Sequence, residues 1–359
     1  MFLETRNFSH LNNETPDLTN NFFNINKKTL IKKKILIISG GSRNGNHLVC
    51  SSLDNHPQLP YLPGEDRVLS EIFWNYLNNP EKFKKKLSVK NSYKFIASLS
   101  GVTFDKWMLL SSKKITEKNK KHWAGNHPQG FVPLLEYPNQ HFFDFNHEQF
   151  LKTLKDKFKK KPKNFEYLFL NYLEGFSKLT LKKKQSLILF KQIKKKTKFD
   201  FIYANSGLRR ELYYLCKKKF NVKIIVPIRK FETFYFSKIF GRYKTSEINN
   251  KYLNEAWSHW KNKTIDYLIL KKLFPKNIFI VKFEDLSNKK NKVKYLKKIC
   301  KFLNIRFDKC MKTNTFMGKQ VNANSSFTND KIKNSNLMNR ELIPDDYNEI
   351  YNEVEKKCY

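Results

Sequence analysis

The residues with the clearest chemical meaning form a glycine turn that follows a short apolar run. Residues 33–53 read KKILIISGGSRNGNHLVCSSL, a pattern that predicts a buried strand, a turn from Ser39, and a helix from near Gly45 through Leu53. A strand that turns into a helix aims backbone N–H groups and the positive helix end at one point, which favours an anion. Arg43 adds a guanidinium that can pair with phosphate or sulfate oxygens.

The turn fails the pattern of nucleoside triphosphate enzymes. Counted from Gly40, the motif GxxxxGK[ST] is met at Gly45, but Asn46 and His47 stand where a lysine and a hydroxyl residue are required. This departure argues against a magnesium nucleotide. Taken alone, the segment could equally be a tight strand-to-helix turn of a doubly wound sheet.

A second candidate phosphate site lies at Arg229 and Ser237. Arg229 follows the apolar run VKIIVPI, so we expect it at the carboxyl end of a strand, where open α/β sheets bind ligands. Ser237 lies eight positions later, about two helical turns into the next helix, close enough to share one phosphate with the arginine. Either residue alone could be an ordinary strand-end arginine or a solvent-facing serine.

Together these motifs resemble the sulfotransferase family, bacterial-type, which uses 3'-phosphoadenosine 5'-phosphosulfate and has a P-loop-like fold. Its members carry a 5'-phosphosulfate loop after the first strand and an Arg-x7-Ser pair for the 3'-phosphate. SGGSRNGNHLVCSSLDNHPQL is similar to the loop–helix–HP signature, IVKFEDLSNKKNKVKYLKKICKFLNI to the late strand–YEDL–helix–FLG block, and QVNANSSF to the C-terminal cofactor loop. The resemblance covers residues 33–67 and 201–327.

The resemblance implies a set of cofactor-binding residues, and the sequence departs from the family pattern at two places. The implied set is Gly41, Ser42, Arg43, Asn44, Gly45, Asn46, His47, Arg229 and Ser237, with Lys319, Asn324, Ser325 and Ser326 as candidates in the C-terminal loop. Asn44 and Asn46 replace the usual hydroxyls, and amide N–H groups can donate to phosphate oxygens. Asn304 replaces a helix-end glycine, a position where Asn tolerates a left-handed backbone.

The resemblance also indicates the catalytic groups. Glu65, in PGED, matches a glutamate found on the acceptor side in several members, and Glu65-Asp66-Arg67 matches an E-x-R pattern of tyrosylprotein sulfotransferases. We expect Glu65 to be the general base and Arg43 to be the cation at the bridging oxygen. Arg67 and His127 are candidates on the acceptor side. His47 and His127 are rival bases, and Glu65 could instead be an acid of a surface turn.

The elements that must position these residues predict an α/β fold, a P-loop NTPase-like parallel sheet wrapped by helices. Apolar runs in FDFIYANSG, VKIIVPIR and KNIFIVKF alternate with amphipathic segments. We expect a flexible N-terminal arm over residues 1–30 and one domain over 31–359, with a helical acceptor-side insertion at 81–198. We expect Glu284 and Asp285 to hold a strand end, and Trp257 and Trp260 to pack in the core.

Composition indicates which partners and which cellular compartment to expect. The net charge of +38 accompanies high Lys, Asn, Ile and Phe and low Gly, so we interpret it as a coding bias rather than a nucleic-acid surface. Five scattered cysteines, without a CxxC spacing, indicate neither disulfides nor zinc. We expect no signal peptide, membrane span or metal, a cytoplasmic location, and a small-molecule or glycan acceptor. A P-loop kinase and a basic nucleic-acid-binding protein are the alternatives.

Overall fold

The computed structural model describes residues 32–60, 156, 159, 197–204, 207–238, 250–316, 319–320 and 343–358. The expected arm at 1–30 lies outside this part of the chain. So does the 81–198 insertion, apart from residues 156, 159, 197 and 198. Glu65, Arg67, His127, Asn324, Ser325 and Ser326 are likewise outside the described residues.

A parallel sheet forms the centre of the fold. Its strands are β1 (Ile35–Ile38), β2 (Phe201–Ala204), β3 (Val222–Ile228) and β4 (Ile278–Lys282), in the order β2-β1-β3-β4. Every described neighbour pair is parallel. All four residues of β1 are buried, as a strand covered on both faces requires. The predicted α/β fold with a parallel sheet is therefore confirmed.

Helices follow the strands and cover the sheet. They are α1 (Asn46–Leu53), α2 (Arg210–Lys217), α3 (Phe231–Lys238), α4 (Asn250–Leu273), α5 (Phe283–Ser287), α6 (Lys289–Leu303) and α7 (Tyr347–Lys357). Leu296, Ile299 and Leu303 of α6 pack with Leu48 and Leu53 of α1 in one apolar cluster around β1 and β4. This packing fixes α1, and thus the turn before it, against the sheet.

Both ends of α6 match the helix-end signals of the sequence. Asn288 caps the first turn, since its side-chain oxygen accepts a hydrogen bond from the Lys290 N–H at 2.9 Å. Asn304 ends the helix in the left-handed conformation, with φ 54° and ψ 46°. The expectation that this asparagine can replace glycine at the helix end is confirmed.

Short regular elements follow α6. A 3-10 turn spans Lys309–Lys312, and β5 (Thr315–Phe316) pairs antiparallel with β6 (Lys319–Gln320). Thr315 is tied to α1's end, because its hydroxyl donates to Asp54 at 3.0 Å. Such a long-range bond is invisible in local sequence.

The five cysteines of the chain all lie within the described residues. All five cysteines are free, and Cys310 is half-buried while the other four are buried. None of the helices in the described ranges is both long and apolar enough to cross a membrane.

Candidate functional site

The carboxyl ends of the four strands meet at one edge of the sheet. β1 ends at the glycine turn, β3 ends directly before Arg229, and β4 passes directly into α5 at Phe283. The chain moves from β1 to β2 on one side and then to β3 on the other, so the strand order reverses between β1 and β3. Ligands of open α/β sheets bind at such a reversal, and both candidate phosphate sites lie there.

Hydrogen bonds join the ends of β1, β2 and β3. Gly207, just beyond β2, donates its N–H to the Gly40 carbonyl at 2.9 Å, and the Leu208 N–H donates to the Ser39 hydroxyl at 3.2 Å. The Arg229 N–H donates to the side-chain oxygen of Asn44 at 2.9 Å. The edge is therefore one connected structure assembled from distant parts of the sequence.

The asparagines of the turn point inward. The Asn46 side-chain oxygen accepts from the Gly40 N–H at 2.7 Å, and the Asn46 side-chain nitrogen lies 3.5 Å from the Gly40 carbonyl oxygen. Asn44 and Asn46 are each 3% exposed. The side-chain oxygens thus bind backbone N–H groups, Asn46 that of Gly40 and Asn44 that of Arg229, and donation by their side-chain N–H groups to phosphate oxygens stays a prediction. The backbone N–H of Asn44 donates to the Gly41 carbonyl at 3.1 Å.

Three backbone donors of the turn are unused by the described residues. The N–H groups of Gly41, Ser42 and Gly45 take part in no hydrogen bond within the described ranges, and Gly45, at the start of α1, carries no capping side chain. Arg43 and Gly45 adopt positive φ values of 68° and 102°, which bend the backbone into a concave turn. Such a turn can accept an anion.

Arg229 is a buried cation at this edge. Its side chain is 7% exposed, and its Nε is buried without a hydrogen-bond partner in the described part of the chain. Burial lowers the pKa of Arg229 to about 10; nearby Glu284 raises it and Arg43 lowers it further. The effect of Arg43 on this pKa shows that the two like charges interact, so an anion bound beside them would stabilise both.

The ring of Phe283 lies between the two candidate phosphate sites. The Arg229 guanidinium carbon stacks 3.4 Å from the centre of this ring. A Cβ added to Gly45 would lie 2.4 Å from the Phe283 Cδ2, so only glycine leaves room for the ring. Sequence reasoning missed this residue, although its place directly after a predicted strand was a usable signal.

Glu284 holds the start of α3. Its Oε1 accepts from the Lys230 N–H at 2.9 Å and from the Thr233 hydroxyl at 3.0 Å, which confirms its expected structural role. Its Oε2 is buried without a partner among the described residues, and burial raises the pKa of this carboxyl. Asp285 is buried, with Lys282 Nζ 3.8 Å from its carboxylate.

The other residues that the sequence predicted for the site lie in different environments. Ser237 is buried near the end of α3, at 5% exposure, rather than facing solvent. His47 is half-buried in the first turn of α1. Lys319 lies in β6, opposite Phe316. The structure thus brings the glycine turn and Arg229 together, whereas it does not describe Glu65, Arg67 or His127.

Two tryptophans of α4 lie near this edge of the sheet. Trp260 is fully buried, and its indole N–H donates to the Arg229 carbonyl at 2.7 Å. Trp257 is half-buried and stacks on Trp260 with ring centres 5.4 Å apart. The expected core position is therefore confirmed for Trp260, whereas Trp257 is only partly buried.

Comparison with known proteins finds similarity with solved structures. No family model matches the sequence, and no curated protein matches it. The sulfotransferase domain from the Synechococcus PCC 7002 olefin synthase is similar, with 14% identity over 91% of this chain and 94% of that chain and a TM-score of 0.44. The sulfotransferase domain from the curacin biosynthetic pathway has 13% identity over 90% and 98%, with a TM-score of 0.44.

Proposed function

We propose that this chain is a sulfotransferase that moves a sulfuryl group from 3'-phosphoadenosine 5'-phosphosulfate to an acceptor hydroxyl. The acceptor oxygen forms a bond to sulfur while the bond from sulfur to the 5'-phosphate oxygen breaks. The acceptor proton passes to a base, and adenosine 3',5'-bisphosphate leaves with the electron pair of the broken bond. The protein must supply positioning and cations at the bridging oxygen, a task that needs no metal ion.

The observation that carries this proposal is the state of Arg229. A guanidinium that is 7% exposed and whose Nε has no partner in the described chain is costly to bury. A dianionic phosphate would supply the missing acceptor and charge. The site also fits the ligand's other end, since the turn offers the unused N–H groups of Gly41, Ser42 and Gly45.

These features assign a role to each part of the site. Arg229 and Ser237 hold the 3'-phosphate, and the backbone of the turn from Gly41 to His47 holds the 5'-phosphosulfate. Arg43 is the cation at the bridging oxygen. Lys319, Asn324, Ser325 and Ser326 belong to a loop over the cofactor.

The acceptor side of the proposal rests on the family resemblance. Glu65 is the general base, and Arg67 and His127 orient the acceptor, which carries its hydroxyl on a carbohydrate, a lipid headgroup or a phenol such as tyrosine. A cytoplasmic location agrees with the five free thiols.

A thermal-shift comparison of two ligands tests the donor. We expect adenosine 3',5'-bisphosphate to raise the melting temperature and ATP with Mg²⁺ to raise it less. Arg229→Met should remove the shift with the bisphosphate. Selective stabilisation by ATP with Mg²⁺ would instead support a P-loop kinase and overturn the proposal.

A further inference from the structure

A lysine from a helix far along the chain reaches the glycine turn. A Cβ built on Gly41 would lie 3.4 Å from the Lys263 Cδ, and one built on Gly207 would lie 3.1 Å from the Lys263 Nζ. The side chain therefore runs between the turn after β1 and the end of β2. Its ammonium lies two bonds beyond the carbon that contacts the turn.

The helix that carries Lys263 is fixed on both sides of it. Three positions earlier, the Trp260 indole donates to the Arg229 carbonyl at 2.7 Å. Four positions later, the Tyr267 hydroxyl lies 3.5 Å from the Ser39 hydroxyl. Because residues three and four apart share one helix face, Lys263 belongs to the face of α4 that contacts the ends of β1 and β3.

The surroundings make this position suited to an anion. Gly41 supplies one of the N–H donors that the described residues leave unused. The turn itself has Asn46 where a nucleotide-binding loop would carry a lysine. A lysine from α4 thus brings an ammonium to a turn that lacks its own.

We infer that Lys263 contacts the 5'-phosphosulfate end of the donor and is a second cation, beside Arg43, at the bond that breaks. This inference rests on the proposed function. An ammonium on the far side of the turn from Arg229 would stabilise charge that develops on the 5'-phosphate as the sulfuryl group leaves. It would do nothing for the 3'-phosphate.

The test uses ligands that carry only one end of the donor. Affinities of the full chain for adenosine 5'-phosphosulfate and adenosine 3'-monophosphate are measured by calorimetry for wild type, Lys263→Met, Lys263→Arg and Arg229→Met. We expect Lys263→Met to weaken the 5'-ligand by about 10- to 100-fold, the effect of losing a charged hydrogen bond, and to leave the 3'-ligand unchanged. Arg229→Met should show the opposite pattern, and Lys263→Arg should recover most of the 5'-affinity.

Two controls separate the possible failures. Lys272→Met removes an exposed lysine from the same helix and should change neither affinity. If Lys263→Met unfolds, Lys263→Gln repeats the comparison with a polar side chain. Equal losses for both ligands, or no loss for either, would overturn the inference while leaving the proposed function intact. A wild-type chain that binds neither ligand nor adenosine 3',5'-bisphosphate would overturn both.

Discussion

The side-chain oxygen of Asn44 accepts a hydrogen bond from the backbone N–H of Arg229 at 2.9 Å, across 185 positions of sequence. This bond joins the glycine turn to the residue that begins the second candidate phosphate site. The distance between the two sites is therefore set by the protein before any ligand arrives. Such pre-organisation reduces the ordering that binding must impose.

Asn44→Ala should loosen this connection. The substitution leaves the buried Arg229 N–H without its acceptor, which costs about 1–3 kcal/mol of unfolding free energy. Urea unfolding measures the loss, and calorimetry should show weaker binding of adenosine 3',5'-bisphosphate. Asn291→Ala, at an exposed position of α6, is the control. Equal stability of the two variants would show that the bond contributes nothing.

Gly45→Ala should destabilise the fold for two separate reasons. The residue has φ 102°, which costs an L-residue about 1–3 kcal/mol. In addition, the new Cβ would lie 2.4 Å from the Phe283 Cδ2. Phe283→Leu removes the obstructing ring edge, so the double variant should lose less stability than the two single variants summed. Strictly additive losses in the double-mutant cycle would disprove the steric coupling.

The unfolding free energy of the Glu284→Gln variant, relative to that of wild type, should increase as pH rises. Burial raises the pKa of the Glu284 carboxyl above its ordinary 4.5, so the folded state favours the protonated form. The wild-type contribution is fully present below about pH 4.5 and is lost as pH rises through the raised folded pKa. The glutamine keeps the oxygen that the Lys230 N–H and Thr233 hydroxyl use.

Unfolding free energies measured in urea at a series of pH values from 4 to 8 check the Glu284 prediction. Glu255→Gln, at an exposed position of α4, is the matched control for the same change of side chain. A stability difference between Glu284→Gln and wild type that stays constant with pH would contradict the expectation.

Glu65→Gln should leave donor binding intact and reduce turnover by about 10²- to 10⁴-fold, because a general base acts on the acceptor proton and not on the donor. A screen of carbohydrate, lipid and phenol acceptors with labelled donor supplies the assay. Normal turnover by the variant would exclude Glu65 as the base, and His47→Ala and His127→Ala would then be the variants to compare.

The part of the fold that local pattern controls could be predicted. The apolar run of β1, the glycine turn and the start of α1 follow one another in sequence, so propensity and periodicity were enough. The strand-end position of Arg229 and the left-handed Asn304 were also readable, since each depends on its immediate neighbours.

The contacts that shape the site could not be predicted in the same way. Phe283 contacts Gly45 and Arg229, and Lys263 contacts Gly41 and Gly207, through packing between elements far apart in sequence. Nothing local decides that Asn44 and Asn46 turn inward, because an amide serves either a ligand or a backbone group. The hydrogen-bond demands of the assembled edge decide it.

The strand order also has a consequence for biosynthesis. β1 lies between β2 and β3, so its first partner begins at residue 201 and its second at residue 222. At a translation rate of about 5–20 residues per second, the four apolar residues of β1 wait roughly 10 to 30 seconds for a neighbour. During that interval the apolar side chains of β1 have no neighbouring strand, and the edge where the strands end stays incomplete until the ribosome has passed Phe283.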